Sequence, residues 1–188
     1  RMDLTDTEHD QESFDRYVYG SAEVVGLMCL RAFVQGVDMT AEQNERMVAG
    51  ARALGAAFQK VNFLRDLSAD LETLGRSYFP GVNVDSFTEE DKVRLLDDID
   101  ADLRTSAAVI PDLPKGSRRA VALAQGRFAE LSARLRRTPA SELIRARVRV
   151  PDPVKARIAL GALAGRTPRP RAARPRTAAR PASIGAES

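Results

Sequence analysis

An all-α fold is what the sequence predicts, on three observations. Apolar residues recur at helical spacing in one segment after another, the segments open on residues that cap helices, and glycine or proline closes them. A length of 188 residues suits one domain with a real core, and 44% hydrophobic with 29% charged residues is ordinary for a soluble globular protein. There is no apolar run of about eighteen residues and no signal peptide, so a cytoplasmic location is the default. The single cysteine, Cys29, has no partner for an internal disulfide and reads as a core thiol; with His9 as the one histidine, no zinc set exists.

Arg1 to Gln11 is polar and acidic, without a period. From Glu12 to about Val34, the residues Tyr17, Val24, Val25, Met28 and Phe33 fall at helical spacing and predict one long buried helix. Gly20 and Gly26 weaken it by about 1 kcal/mol each against alanine, which implies that a neighbouring helix or a long ligand passes close to the backbone. Thr40 caps the next helix, with Glu42 and Glu45 in its first turn; it runs to about Leu74, where Gly75 stops it and Pro80 and Gly81 extend the break. A further helix begins at Thr88, with Glu89, Glu90 and Asp91 in its first turn and Val93, Leu96, Ile99 and Leu103 as its apolar stripe.

Pro111 to Arg137 is another amphipathic helix, entered through Pro114, with Val121, Ala124, Phe128 and Leu131 on one face. A short helix and a basic segment follow. Residues 1–165 make the folded part. Residues 166–188 are proline, alanine and arginine almost without large apolar side chains, and read as a disordered tail. That tail inflates the net charge of +3 and the isoelectric point near 9.3. It suits weak peripheral attachment to an anionic membrane, which adds the inner membrane surface as an alternative location. Without aromatic interleaving or a DNA-binding motif, nucleic acid is not an expected partner, although an unrelated helical module binding nucleic acid through the tail stays open.

The chain is organised around Gly55 to Pro80. At about 100° per residue, Gln59, Asn62, Asp66 and Asp70 fall on one stripe of a helix, while Leu54, Phe58, Val61 and Ser68 fall on another. Asp66 and Asp70 are stacked roughly 6 Å apart along the axis, a spacing that repels unless a hard cation is shared. Magnesium, or a diphosphate held through magnesium, would turn that repulsion into binding. A solvated outer face is the competing reading of the same spacing. Asp98 and Asp102 repeat the spacing, but stand among further aspartates with no asparagine, glutamine or arginine arranged around them. They read as a solvated face.

The run QKVNFLRDLSAD followed by GRSYFP resembles the second aspartate-rich motif of the squalene and phytoene synthase family, Q-x-x-N-x-x-R-D-x-x-x-D and then G-R-x-Y-x-P. YVYGSAEVVG resembles that family's Y-C-Y-x-V-A-G-x-V-G helix, Pro111 onward its LP-x-x-x-R-x-A helix, and RARVRVPDPVK its closing R-x-R-V-x-x-P-x-x-K pattern. The resemblance implies an isoprenoid-synthase-type helical bundle around a central cavity. It further implies that Asp66 and Asp70 bind magnesium holding a prenyl diphosphate, that Gln59, Asn62, Arg65 and Tyr78 line the same pocket, and that Tyr17 faces the substrate. From the closing pattern Arg147 is the candidate to reach the diphosphate, with Arg145, Arg149 and Lys155 indistinguishable from it by periodicity.

The implied reaction is head-to-head condensation of two prenyl diphosphates through a cyclopropylcarbinyl diphosphate. Phytoene from geranylgeranyl diphosphate comes first, and squalene or dehydrosqualene from farnesyl diphosphate is the alternative. RMDL at Arg1 to Leu4 resembles a loop from the middle of family members, so the domain is expected to be incomplete at its N-terminus, lacking the first aspartate-rich motif. A truncated, non-catalytic chain that binds diphosphate or a partner is the corresponding alternative. Glu23 departs from the family pattern, which has glycine there. A carboxylate in an apolar tunnel costs several kcal/mol, so Glu23 either faces away or alters the site.

Overall fold

The computed structural model describes residues 11–74, 87–145 and 148–167, with the backbone alone at 11 and 68–74. Helix α1 (Gln11–Val18) passes through one π-helical turn (Tyr19–Glu23) into α2 (Val24–Phe33). Then come α3 (Ala41–Leu74), α4 (Glu89–Val109) with a closing 3-10 turn (Ile110–Asp112), α5 (Lys115–Arg137), the short α6 (Ala140–Leu143) and α7 (Asp152–Leu163). The described residues contain no strand, and none of their helices is long and apolar enough to cross a membrane. The fold is the all-α class expected from periodicity. Gly75, Pro80 and Gly81 lie outside the described residues, as does the tail beyond 167.

Caps set the boundaries of the long helices. The Thr40 hydroxyl accepts from the Gln43 N–H at 3.1 Å while the Gln43 side chain accepts from the Thr40 N–H at 2.9 Å, closing a reciprocal box at the start of α3. Thr88 and Asp91 make the same exchange at the start of α4, at 3.1 and 3.2 Å. At the end of α7, Gly165 takes φ +76°. The Arg166 N–H bonds the Gly161 carbonyl and the Gly165 N–H that of Ala162, both at 3.0 Å, which terminates the helix as a left-handed glycine allows.

Helix α3 is the centre. Val61 and Leu64 are wholly buried, packed with Leu96, Ile99 and Leu103 of α4 and with Leu135 of α5. Helices α3 and α4 run antiparallel, as do α4 and α5, and each seam holds polar groups that are satisfied. Buried Gln125 donates to the Leu103 carbonyl at 2.7 Å and accepts from Ser106 at 2.9 Å. Lys92, only 1% exposed, needs partners for its charge. It finds them in Glu89 at 2.5 Å and in the Thr138 carbonyl at 2.5 Å, where it also caps the negative end of α5.

The expected single buried helix over Glu12–Val34 is a rod interrupted by the π-helical turn, and one side of it is open. Phe14, Val18 and Leu30 are buried, but Val25 is 52% and Met28 66% exposed. The two glycines also part company. A Cβ on Gly26 would lie 2.3 Å from the Ala51 carbonyl oxygen, and one on Gly55 would lie 2.4 Å from that of Ala22, so α2 and α3 touch backbone to backbone. Gly20 has nothing within 4 Å. Gly26→Ala is therefore expected to cost about 1–3 kcal/mol by forcing the helices apart, whereas Gly20→Ala should be neutral or stabilising by up to about 1 kcal/mol. Urea unfolding of the two variants checks this, and equal effects would contradict the close contact.

Candidate functional site

A cavity of about 470 Å³ opens between the α2 end of the first rod, α3, α4 and α5. Helix α3 contributes its longest wall, from Met47 through Gly50, Leu54 and Phe58 to Gln59 and Asn62, roughly 22 Å along the axis. The walls are overwhelmingly apolar. Phe58 is braced from behind by stacking on Phe128, ring centroids 3.7 Å apart. The far end holds Phe33, Met47 and Leu113, and the two amides mark the opposite, polar end. Thus the apolar residue Phe58 and the amides Gln59 and Asn62, drawn from two neighbouring stripes of α3, share one wall because a cavity spans more of a helix surface than a single stripe.

One turn beyond Asn62, Arg65 and Asp66 form a fork, Nε to Oδ1 at 2.9 Å and Nη2 to Oδ2 at 2.5 Å, with the side chains 19% and 25% exposed. Arg65 also lines a second, polar pocket of about 500 Å³ together with Arg127, Arg149, Asp152 and Lys155. Asp70 lies one further turn along α3, where the backbone alone is described; Tyr78 and Arg147 lie outside the described residues. No group of three or more His, Cys, Asp or Glu side chains suited to a metal occurs among the described residues. Asp66 nevertheless fits magnesium in the way that ion is commonly held, by one or two carboxylates with substrate phosphates and water completing the shell, once Arg65 turns its fork to an anion.

Several expected residues sit elsewhere. Tyr17 is not on the cavity wall: its ring packs on Phe63 at 5.8 Å within the main core cluster, because the α1 face that carries it turns toward α3 before the cavity begins. Cys29 is no core thiol. It is exposed at the cavity rim, since nothing among the described residues covers that side of α2. Glu23 faces away from the cavity and accepts from Arg52 Nε at 2.6 Å, with the guanidinium also 5.4 Å from the Tyr19 ring centroid.

The aspartates of α4 are not a merely solvated face either. Lys60 of α3 reaches both, Asp98 at 2.6 Å and Asp102 at 2.9 Å, and Asp102 is 23% exposed. Burial pulls the Lys60 ammonium down, but its hydrogen bonds to Asp98 and Asp102 outweigh this and hold it above the ordinary value. Burial pushes the Asp102 carboxyl above its ordinary range, and Lys60 offsets that only in part. The pairing joins residues 38 and 42 positions apart, so no local pattern announces it. Arg127 was likewise missed, being one of several basic residues on an amphipathic helix with nothing local to set it apart.

A sequence model described as squalene/phytoene synthase matches residues 1–153. The chain is 28% identical over 132 residues to a bifunctional lycopene cyclase/phytoene synthase of Leptosphaeria maculans, covering 60% of this chain and 22% of that protein. It is 35% identical over 71 residues to a protein of the same description from Blakeslea trispora, covering 38% of this chain and 11% of that one. The matches thus span under a quarter of either relative's length.

Removing the Lys60 charge leaves two carboxylates facing each other at the seam between α3 and α4. Lys60→Met is expected to lose about 2 kcal/mol at pH 7, less than for a fully buried pair because Asp98 is half in water. The folded chain protonates Asp102 more readily than the unfolded chain does. In the variant, stability should therefore rise as pH falls from neutrality toward the unfolded carboxyl value of 3.8. Urea unfolding at pH 7 and pH 5 measures both effects, and a variant less stable at pH 5 would contradict the assignment.

Proposed function

Because the chain belongs to the squalene/phytoene synthase family, we propose that it takes part in prenyl transfer in isoprenoid biosynthesis, condensing two prenyl diphosphates head to head. The observation that carries this reading is one helix serving both halves of such a substrate. Along α3 the wall of the 470 Å³ cavity is apolar from Met47 to Phe58, turns to amide at Gln59 and Asn62, and is followed by Arg65 and Asp66. A prenyl chain would lie against the apolar length and its diphosphate would reach the polar end. The volume falls within the range of about 300–1,000 Å³ usual for small-molecule sites.

Each residue then has a task that its chemistry suits. As the C–O bond of a prenyl diphosphate breaks, negative charge gathers on the leaving oxygen and an allylic cation is left behind. The N–H groups of Gln59 and Asn62 would hold diphosphate oxygens, and Arg65 would exchange Asp66 for the same anion. The apolar walls would keep water from the cation. Magnesium, held by Asp66 and Asp70, would when bound supply positive charge to the leaving diphosphate. Tyr78 and Arg147 keep the substrate-binding roles expected from their motifs.

Geranylgeranyl diphosphate, converted to phytoene through prephytoene diphosphate, is the preferred substrate, supported by the phytoene synthase named in both relatives. Farnesyl diphosphate is the alternative. Weak peripheral attachment to an anionic membrane through the arginines of 166–188 would bring the chain to its greasy substrate.

Calorimetric titration with magnesium and geranylgeranyl thiodiphosphate tests the site. Asp66→Asn is expected to weaken binding at least tenfold and Asp98→Asn to leave it within twofold; the reverse pattern would overturn the assignment. Incubation with radiolabelled geranylgeranyl diphosphate, followed by extraction of labelled phytoene, tests the reaction.

A further inference from the structure

Helix α7 packs one apolar face on the body of the protein and leaves another outside. Inward, Val154 packs on the main core cluster and Ala162 clusters with Ala122 of α5 and with Ile110. Outward, Leu160 is 68% and Leu163 60% exposed, with Ala156 and Ala164 exposed beside them. A lone leucine in solvent is ordinary, but a helix apolar on both faces is normally covered on both. Leu123 of α5, 41% exposed, extends the patch. Arg127 and Leu131 share a pocket with Asp152 and Lys155, while Ala122 clusters with Ala162, so α5 and α7 run antiparallel. On antiparallel helices in contact, the step of about 100° after each of the two alanines leads to the same side, which brings Leu123 and Leu163 to one flank.

The charge around this patch has one sign. Arg119, Arg157 and Arg166 are exposed and have no ion pair or side-chain hydrogen bond among the described residues. The one acid of α7, Asp152, stands at its first residue and is held by Lys155 at 2.8 Å. After Asp152 the sequence has no acid until Glu187, and Arg169, Arg171, Arg174, Arg176 and Arg180 fall between. A second copy seated on the patch would set these arginines against their own kind. Leucines bordered by unpaired cations instead suit an anionic lipid surface, where the leucines enter the acyl boundary and the guanidiniums meet lipid phosphates.

We propose that α7 docks on an anionic bilayer, lying along its surface with Leu160 and Leu163 inserted below the head groups and Leu123 at the edge. The helix has 12 residues, and none of the described helices is long and apolar enough to cross a membrane. The choice of an anionic surface rests on the attachment proposed above for the arginines of 166–188; the apolar contact through α7 is additional to it and separable from it. Attachment by charge alone is released by salt, whereas salt does not screen a leucine in the interface.

The experiment is co-sedimentation of the full chain with vesicles of phosphatidylcholine, with and without phosphatidylglycerol, at low and high salt. A Leu160→Ser, Leu163→Ser double variant should lower the partition coefficient on anionic vesicles at least tenfold. Its urea unfolding midpoint should match wild type, because both side chains are exposed. Met28→Ser, at an exposed apolar residue of α2, should bind within twofold of wild type. A variant with Arg169→Gln, Arg171→Gln, Arg174→Gln, Arg176→Gln and Arg180→Gln should bind less at low salt and keep the part that high salt does not remove. The chain has no tryptophan, so Leu160→Trp reports insertion directly, as a blue shift of its emission on anionic vesicles. Wild-type binding by the leucine double variant, with loss in the glutamine variant, overturns docking through α7 and leaves attachment by the arginines standing. Absence of wild-type binding to either vesicle overturns both. A leucine double variant that turns a dimer into a monomer by sedimentation velocity, with vesicle binding unchanged, assigns the patch to a second copy and overturns the proposal.

Discussion

The contact of α2 with α3 through bare backbone constrains everything around it. Glycine at 26 and 55, opposite the carbonyls of Ala51 and Ala22, lets two helices approach without side chains between them. No room for a ligand is left along that line of contact. The space appears on the flank of the pair instead, where Gly50, Ala120 and Ala124 keep the facing walls of α3 and α5 thin. Gly50 lies so close to Val109 that a Cβ there would meet its methyl at 2.1 Å, so the α4 wall is also set by a missing side chain. The cavity is thus a consequence of small residues placed at crossings.

Helix α3 separates its chemistry around its circumference. Arg52 and Lys60 each take a carboxylate from a neighbouring element, Glu23 and Asp102, and those ion pairs lie off the cavity wall. Leu54, Phe58, Gln59 and Asn62 face the cavity. A charge left on the cavity side would have to be desolvated by every apolar ligand that entered. Confining the ions to the seams leaves only uncharged polar groups on the cavity wall, the two amides with Ser21, Cys29 and Ser106, and such groups are far cheaper to dehydrate than ions.

Much of this was legible in the sequence, and the division follows from the range of each interaction. Caps and periodicity act within a few residues, so Thr40, Thr88 and the run of α3 to Leu74 could be read directly. The inward face of α4 could too, with Leu96, Ile99 and Leu103 wholly buried. Periodicity names a face but not what covers it, which is why Cys29 and Met28 were expected in a core and lie open. Tyr17 was assigned through a motif, and the motif does not say which way α1 has turned by that point. Lys60 with its two aspartates, and Arg127 with Arg149, meet only after the helices pack. Gln59, Asn62, Arg65 and Asp66 were found together at the polar end because a single helix carries them all.

The π-helical turn at Tyr19–Glu23 solves a problem of angular phase. Phe14, Val18, Ala22 and Leu30 are buried, with Gly26 in contact between the last two, so the inward line repeats every fourth residue. On a regular α-helix such a line drifts by about 40° at each step and would wander roughly 160° between Phe14 and Leu30. One widened turn absorbs about one residue and cuts the drift to roughly 60°, so that one continuous rod keeps both ends of the line against α3. Gly20, with no neighbour to touch, stands where the surplus is taken up. The rod is therefore sensitive to chain length as much as to composition: a one-residue deletion in this turn would leave each half correctly folded and the two halves facing different directions.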